Sequence, residues 1–561
     1  MPGRGWPIAQ RFCALALLAL GCADEGARPD SGDEAPGKDL PVRASLAGRL
    51  TPAQHRNIAS DVLGVELSAL ELAAAGGGIP QEQPSTGLFR NGADGQAAAD
   101  DYPLAFARLA AAVAAQADIT ALLAGVVGCA DLASPCERAF VDELGKRLFR
   151  RPLSSRESEA FTLLHAAVLG EGSSFEDACR SVLEAMLQAP AFVFRLEREL
   201  SGAAGERRYL DGFELAARLS FFLWDSAPDR ELLELAEAQT LDGSPAALPA
   251  LRRQVTRLLA DPRARRMTRE LVRDLAGTER AAFIGVTPEL RASLLDSMVA
   301  TVDAHLWDER AAISELFTTR KLSLDPSAAA LLDLAPIGDG QQVYDVSLLP
   351  ERVGWLSHPG FIAGFGDAQV GKIVHRGITL MTKLMCRQPI QLPDGLAATT
   401  ADFNTMYAQL TERQRSEERQ KRGDCWACHA QFEPLAYGFD RFDAAGRYLG
   451  AVDPQGRALP IDGWTTDDLS VEEAARPRYA DMAELMALMA ESETIQSCMA
   501  EHFLALATGR ASSEIEHAFA QPVHAALERA GGDLPALVEA VATSELFRAL
   551  ASAGPAPEDE P

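Results

Sequence analysis

Cys425-Trp426-Ala427-Cys428-His429 is the stretch of this 561-residue chain whose residue types and spacing name a chemistry. It reads C-x-x-C-H, the pattern of covalent haem attachment. Two thiols three positions apart can each add to one vinyl group of a porphyrin. The adjacent imidazole can then ligate the iron through one nitrogen. The expected cofactor is therefore haem c, held by Cys425 and Cys428, with His429 as the metal ligand. Three other readings compete. The thiols can close on each other as a tight disulfide. They can form a thioredoxin-like redox pair, which needs a strand-to-helix context that the flanks do not supply. A zinc site would need two more ligands at matching spacing, and none is evident.

A six-coordinate iron needs a second axial ligand, usually Met or His. Met482, Met486, Met489, Met499 and His502 lie downstream, and His358, His375, Met381 and Met385 upstream. A methionine on an apolar helical stripe is more often core than ligand, so none is assigned. Arg376 could pair with a propionate, against a plain surface charge at a helix start. Leu435, Tyr437 and Phe439 are expected to wrap either haem or core. Asp440, Asp443 and Gly446 miss the spacing of a calcium loop. There is no G-x-S-x-G, no H-E-x-x-H and no phosphate-cradling glycine loop.

Haem attachment by this pattern happens outside the cytoplasm, and the N-terminus reads as an export signal. Arg4 and Arg11 precede the short apolar run Phe12 to Leu20, and Ala19-Leu20-Gly21-Cys22 resembles a lipoprotein processing site. Residues 1–22 are read as the signal, Cys22 as the lipidated residue and membrane anchor, and 23–45 as a flexible linker. A cleaved signal without lipid is the alternative. Location is then periplasm or outer membrane. Of the other cysteines, Cys129 and Cys136 flank a turn and can close a small loop, and Cys386 and Cys498 are a plausible long-range pair. Cys179 sits among apolar residues as a buried free thiol.

The elements that must position these groups read as helices. Hydrophobic residues make up 47% of the chain but aromatics only 6%, and Ala and Leu dominate. The fold class is mainly α, a multi-module helical protein with a small β hairpin near the C-x-x-C-H segment. A net charge of -27 excludes a phosphate-backbone binder, so no nucleic-acid partner is expected. Thr51 caps a helix beginning at Pro52, and Ser154 with Glu157 and Asp211 with Glu214 form capping boxes. Helices are expected around 103–123, 140–169 with a break at 150–153, 174–200, 215–224, 231–238, 248–275 and 378–385. Arg252, Arg253, Arg257, Arg263, Arg265 and Arg266 read as a solvated face balancing acidic neighbours. Residues 447–452 and 457–461 flank Asp453-Pro454-Gln455-Gly456 as the hairpin. No fixed-period repeat stands out. The modules expected are 46–125, 126–200, 201–335, 336–465 and 466–552, with a disordered tail at 553–561.

Several stretches carry a resemblance: LTPAQHRNIASDVLGVE, RAFVDELGKRLFRRPLSSRE, LEAMLQAPAFVFRLE with LAARLSFFLWDSAPDRELLELA, HRGITLMTKLMCRQPIQLP with CWACHAQFEPLAYGFDRFDAAGRY, and CMAEHFLALATGRASSEIE through VATSELFRAL. Together they resemble a family of exported bacterial proteins built from domains of unknown function. The domains are numbered fifteen-eighty-five, fifteen-eighty-seven, fifteen-eighty-eight, fifteen-ninety-two and fifteen-ninety-five, and often accompany cytochrome c-like segments. The segment after Cys386 is less proline-rich than the family's. The resemblance implies architecture and brings no substrate. The function expected is an exported, c-type cytochrome-like electron carrier whose helical modules dock a redox partner protein or substrate. The alternatives are a non-enzymatic envelope or surface-binding lipoprotein with structural cysteines, and a haem oxidoreductase with an open iron site.

Overall fold

The computed structural model describes residues 48–67, 102–129, 134–197, 207–275, 286–364, 372–388, 390, 402–465, 467–510, 515 and 517–551. The export signal, Cys22, the linker, the proline turn after Cys386 and the tail lie outside them.

The first described unit is a set of capped helices. Thr51 accepts from the Gln54 N–H while Gln54 returns a bond to the Thr51 N–H, opening α1 (Pro52–Leu63) with proline at its first position. The expected 103–123 helix is broken. α2 (Tyr102–Gln116) stops, and a second helix begins behind the Asp118 cap, bent by 82°. Capping boxes or caps start α3 (Ser155–Gly170) behind Ser154 and α4 (Phe175–Gln188) behind Ser174. These helices close around a core running from Leu50 to Ala227, in which Cys179 is a buried free thiol pushed up to about 12 by burial.

Asp211 and Glu214 cap α5 (Gly212–Trp224) as expected, followed by α6 (Leu248–Leu259), α7 (Arg265–Leu275) and α8 (Pro288–Asp303). The intervening helix starts behind Asp229 and covers Arg230–Glu237. Trp224 is fully buried, and its indole donates to the Leu258 carbonyl at 3.0 Å. The arginine run is more than a solvated face. Arg263 stacks 3.6 Å over the Trp224 ring, and Arg266 reaches across 205 residues to Asp61 on α1 at 2.6 Å. The run does balance acids, and it also ties the central segment to the first.

Then come α9 (Lys372–Thr379), α10 (Glu412–Gln420), α11 (Gly423–His429), α12 (Glu433–Ala436), α13 (Met482–Glu491), α14 (Glu493–Thr508), α15 (His517–Arg529) and α16 (Leu534–Thr543). The largest core runs from Leu210 to Leu550, so the central, haem-motif and closing segments share one interior.

The described sheets are four antiparallel pairs. β1 (Gly48–Arg49) pairs with β2 (Phe194–Arg195), and β3 (Arg207–Tyr209) with β8 (Ala549–Ala551). β4 (Lys321–Leu324) pairs with β5 (Gln342–Asp345), and β6 (Gly463–Trp464) with β7 (Arg478–Tyr479). The expected hairpin at 447–461 is present as a turn with a single bridge, Val452 to Ala458. Gly456 holds φ at 76°, and the Asp453 carboxylate accepts from the Gln455 and Arg457 N–H groups. The same turn occurs ten residues earlier, with Gly446 at φ 86° and Asp443 accepting from Ala445 and Arg447. The pair is a short tandem repeat, D-x-x-G-R-x-L, where no fixed-period repeat was expected. Both expected disulfides form, Cys129–Cys136 and Cys386–Cys498. Among the described residues no single helix is long and apolar enough to cross a membrane.

Candidate functional site

α11 carries the motif. Asp424 lies in its first turn, favourable toward the helix dipole, and His429 in its last. Cys425 and Cys428, at i and i+3, share a face, and both are free, partly exposed thiols. The tight disulfide is therefore not formed. The Cys425 thiol is pushed up by burial and then by the Asp424 charge, the opposite of what a thioredoxin-type nucleophile needs. α11 also follows a helix rather than a strand. Among the described residues, the one trio of metal-type ligand atoms drawn together is Cys386, Cys498 and His502, so Cys425, Cys428 and His429 do not converge on a single ion as in a zinc site.

His429 is oriented from beneath. Its Nδ1 lies 2.8 Å from Glu433 Oε1, one helical turn on. A carboxylate there holds the proton on Nδ1 and leaves Nε2 as the lone-pair nitrogen, the tautomer a metal-bound imidazole uses. Glu433 is completely buried, a placement that is costly for a charge unless it is paired. α10 supplies the partners from one face. The Arg419 guanidinium lies 2.6 Å from Glu433 Oε1, and the Ser416 hydroxyl donates to Oε2. Tyr437 donates to Ser416 at 2.6 Å and accepts from Gln420 at 3.3 Å. Burial and the Glu433 charge push its phenol up to about 12, so it stays a neutral donor.

The backing is close-packed. A Cβ on Gly377 of α9 would sit 2.3 Å from the Phe432 carbonyl oxygen, inside the loop joining α11 to α12. In an ordinary helix, Gly→Ala stabilises by about 1 kcal/mol. Here Gly377→Ala is expected to cost about 2 kcal/mol by overpacking, read as a lower urea midpoint.

Arg376 is not the surface charge at a helix start. It is 3% exposed and donates to the carbonyls of Phe439 at 2.7 Å and Asp443 at 3.3 Å. Leu435, Tyr437 and Phe439 are core. So are Met381, Met385, Met482, Met486, Met489 and Met499, which pack in the main interior as the apolar-stripe reading expects. Among the described methionines the exposed one is Met406, at 69%. His502 lies against the Cys386–Cys498 bridge with Nε2 2.6 Å from the Lys383 carbonyl. His375 lies on α9.

His358 is fully buried and accepts from the Gly360 N–H at Nδ1, 3.0 Å away. Burial holds its pKa down at about 3. The folded state therefore refuses a proton that the unfolded chain takes near 6.5. The stability this neutral ring contributes is whole above pH 6.5 and is lost as pH falls toward 3. Between pH 6.5 and 5 the loss is about 2 kcal/mol at about 1.4 kcal/mol per unit. Urea midpoints at pH 7 and 5 should fall further apart in the wild type than in His358→Asn.

Sequence reasoning missed Glu433, Arg419 and Ser416. The signal available was His429 and Glu433 at i, i+4, a spacing that permits a carboxylate–imidazole pair.

Four family models match the chain, each described as a protein of unknown function. They are DUF1595 over residues 136–197, DUF1592 over 210–334, DUF1588 over 352–450 and DUF1585 over 477–547. The chain belongs to a multi-module family built from domains of unknown function. The module expected over 46–125 is not among these matches. The C-x-x-C-H helix and its Glu433 support lie inside the DUF1588 segment, and Cys386–Cys498 ties that segment to DUF1585. No curated protein and no solved structure matches the chain.

Proposed function

We propose that this multi-module protein is an exported c-type cytochrome-like electron carrier, with haem held by thioethers to Cys425 and Cys428 and ligated by His429 Nε2. The observation that carries the reading is the buried Glu433 carboxylate on His429 Nδ1, beside two thiols that are free and partly exposed. The donor set fits the group: two thiols on one helical face and an imidazole of fixed tautomer. Bound haem would supply one-electron chemistry. The chain's own part is to hold His429 in register through Glu433, Arg419 and Ser416. Attachment and lipidation at Cys22 would both follow export, and the lipid would place the protein at a membrane of the envelope.

The absorbance spectrum of the reduced protein tests this, recorded with and without carbon monoxide after expression with cytochrome c maturation. Sharp haem bands that carbon monoxide leaves unchanged are expected of an electron carrier. Ready carbon monoxide binding would replace the carrier by an enzyme with an open iron. A chain without haem bands would sink both, leaving the envelope lipoprotein with structural cysteines.

A further inference from the structure

Cys386, Cys498 and His502 meet at the seam between the DUF1588 and DUF1585 segments, and none of them belongs to α10, α11 or α12. Cys498 and His502 stand four residues apart on α14, so their side chains share one helix face, and both are 1% exposed. Cys386 arrives just after the π-helical turn Leu380–Leu384 and is half-buried. His502 Nε2 lies 3.3 Å from Cys498 Sγ, 3.7 Å from Cys386 Sγ and 2.6 Å from the Lys383 carbonyl oxygen. The Lys383 ammonium in turn donates to the carbonyls of Asp274 and Leu275 at 3.1 Å, which fixes that turn against the end of α7.

A disulfide needs no imidazole to hold it. The position of this nitrogen matches a different requirement. Zinc binds thiolate sulfur at about 2.3 Å and imidazole nitrogen at about 2.0 Å, which sets the sulfur–nitrogen edge of its tetrahedron at about 3.5 Å. The two observed distances, 3.3 and 3.7 Å, fall on either side of that edge. Only the two sulfurs have to part, and reduction of the bridge does that. Thiolate and imidazole suit zinc, whereas calcium and magnesium take oxygen ligands. Two cysteines and one histidine leave a fourth position, which water fills in open sites of that composition. Cys386, the least buried of the three, marks the side from which water and metal enter.

We propose that Cys386, Cys498 and His502 form a redox-gated zinc site, closed as a disulfide when oxidised and holding Zn2+ when reduced. A dithiol reductant works the switch. One of its sulfurs attacks Cys386 Sγ, Cys498 leaves as a thiolate and takes up a proton, and the second sulfur frees Cys386 as a cyclic disulfide forms. Two electrons and two protons thus pass from the dithiol to the bridge. Zn2+ then displaces the two thiol protons to solvent, and the His502 ring carries its single proton on Nδ1 instead of Nε2. The seam is tied in both states, by a covalent bond or by the ion. The site shares no residue with the haem motif, so it stands or falls apart from the electron-carrier reading.

Titration with Co2+, the spectroscopic probe for such a site, tests it. The full chain carrying Cys425→Ser and Cys428→Ser is reduced with dithiothreitol, freed of it without air, and compared with the same chain left oxidised. The reduced chain should take up one equivalent of Co2+ with sulfur-to-cobalt charge-transfer and tetrahedral visible bands, which Zn2+ then bleaches. The oxidised chain should show none. Adding Cys386→Ser and Cys498→Ser should remove the bands. His502→Gln, which keeps the bridge and should keep the oxidised far-ultraviolet spectrum, should weaken binding at least about tenfold, the scale at which even outer partners of a metal ligand act. Zn2+ should raise the thermal midpoint of the reduced chain and leave the oxidised one unchanged. No cobalt bands from the reduced chain, equal binding by the oxidised chain, bands that survive loss of Cys386 and Cys498, or undiminished affinity in His502→Gln would overturn the proposal.

Discussion

Glu433→Gln should lower the unfolding free energy by about 3 kcal/mol, the scale for removing one partner of a buried ion pair. The carboxylate is fully buried and answers three groups at once: Arg419, Ser416 and His429. Glutamine keeps the shape and loses the charge, so the Arg419 guanidinium, 7% exposed, is left without its counter-ion. The double variant Arg419→Met with Glu433→Gln should recover much of the loss, because no buried charge then remains. Ser416→Ala removes one neutral donor and should cost only about 1 kcal/mol. Urea unfolding of the four chains makes the comparison. A Glu433→Gln midpoint equal to wild type would mean that the carboxylate does not organise the site.

The second large effect concerns the bridge between modules. Cys386–Cys498 spans 112 residues, whereas Cys129–Cys136 spans 7. In the chain-entropy account, the long loop stabilises by about 4.8 kcal/mol and the short one by about 2.4 kcal/mol. Cys386→Ala with Cys498→Ala should therefore lower the thermal midpoint more than Cys129→Ala with Cys136→Ala. The long bridge also pins the end of the π-helical turn after α9 to α14, beside His502. Equal losses from the two pairs would show that loop closure is not the main contribution.

What could be read from the chain beforehand was local. Thr51, Ser154 and Asp211 announce helices because a cap and its N3 partner are three residues apart. The Asp453–Gly456 turn is likewise written in residues that touch. The core methionines were legible as stripes. Contacts across the fold were not. The alternative of a surface charge at Arg376 stood open because its carbonyl partners arrive from 63 and 67 residues away. Arg266 was placed on a solvated face because Asp61 is 205 residues distant. The motif itself was visible in five residues, while its support was hidden by α10, whose Ser416 and Arg419 gain meaning only once α12 packs against them.

The central claim is that Cys425 and Cys428 carry haem. Its most direct test is haem-dependent peroxidase staining of a denaturing gel, after expression with cytochrome c maturation, comparing wild type with Cys425→Ser/Cys428→Ser. The account predicts a stained band at the full-length position for wild type and none for the variant. An unstained wild-type band, with Cys425 and Cys428 recovered as a disulfide in peptide mapping, would contradict it.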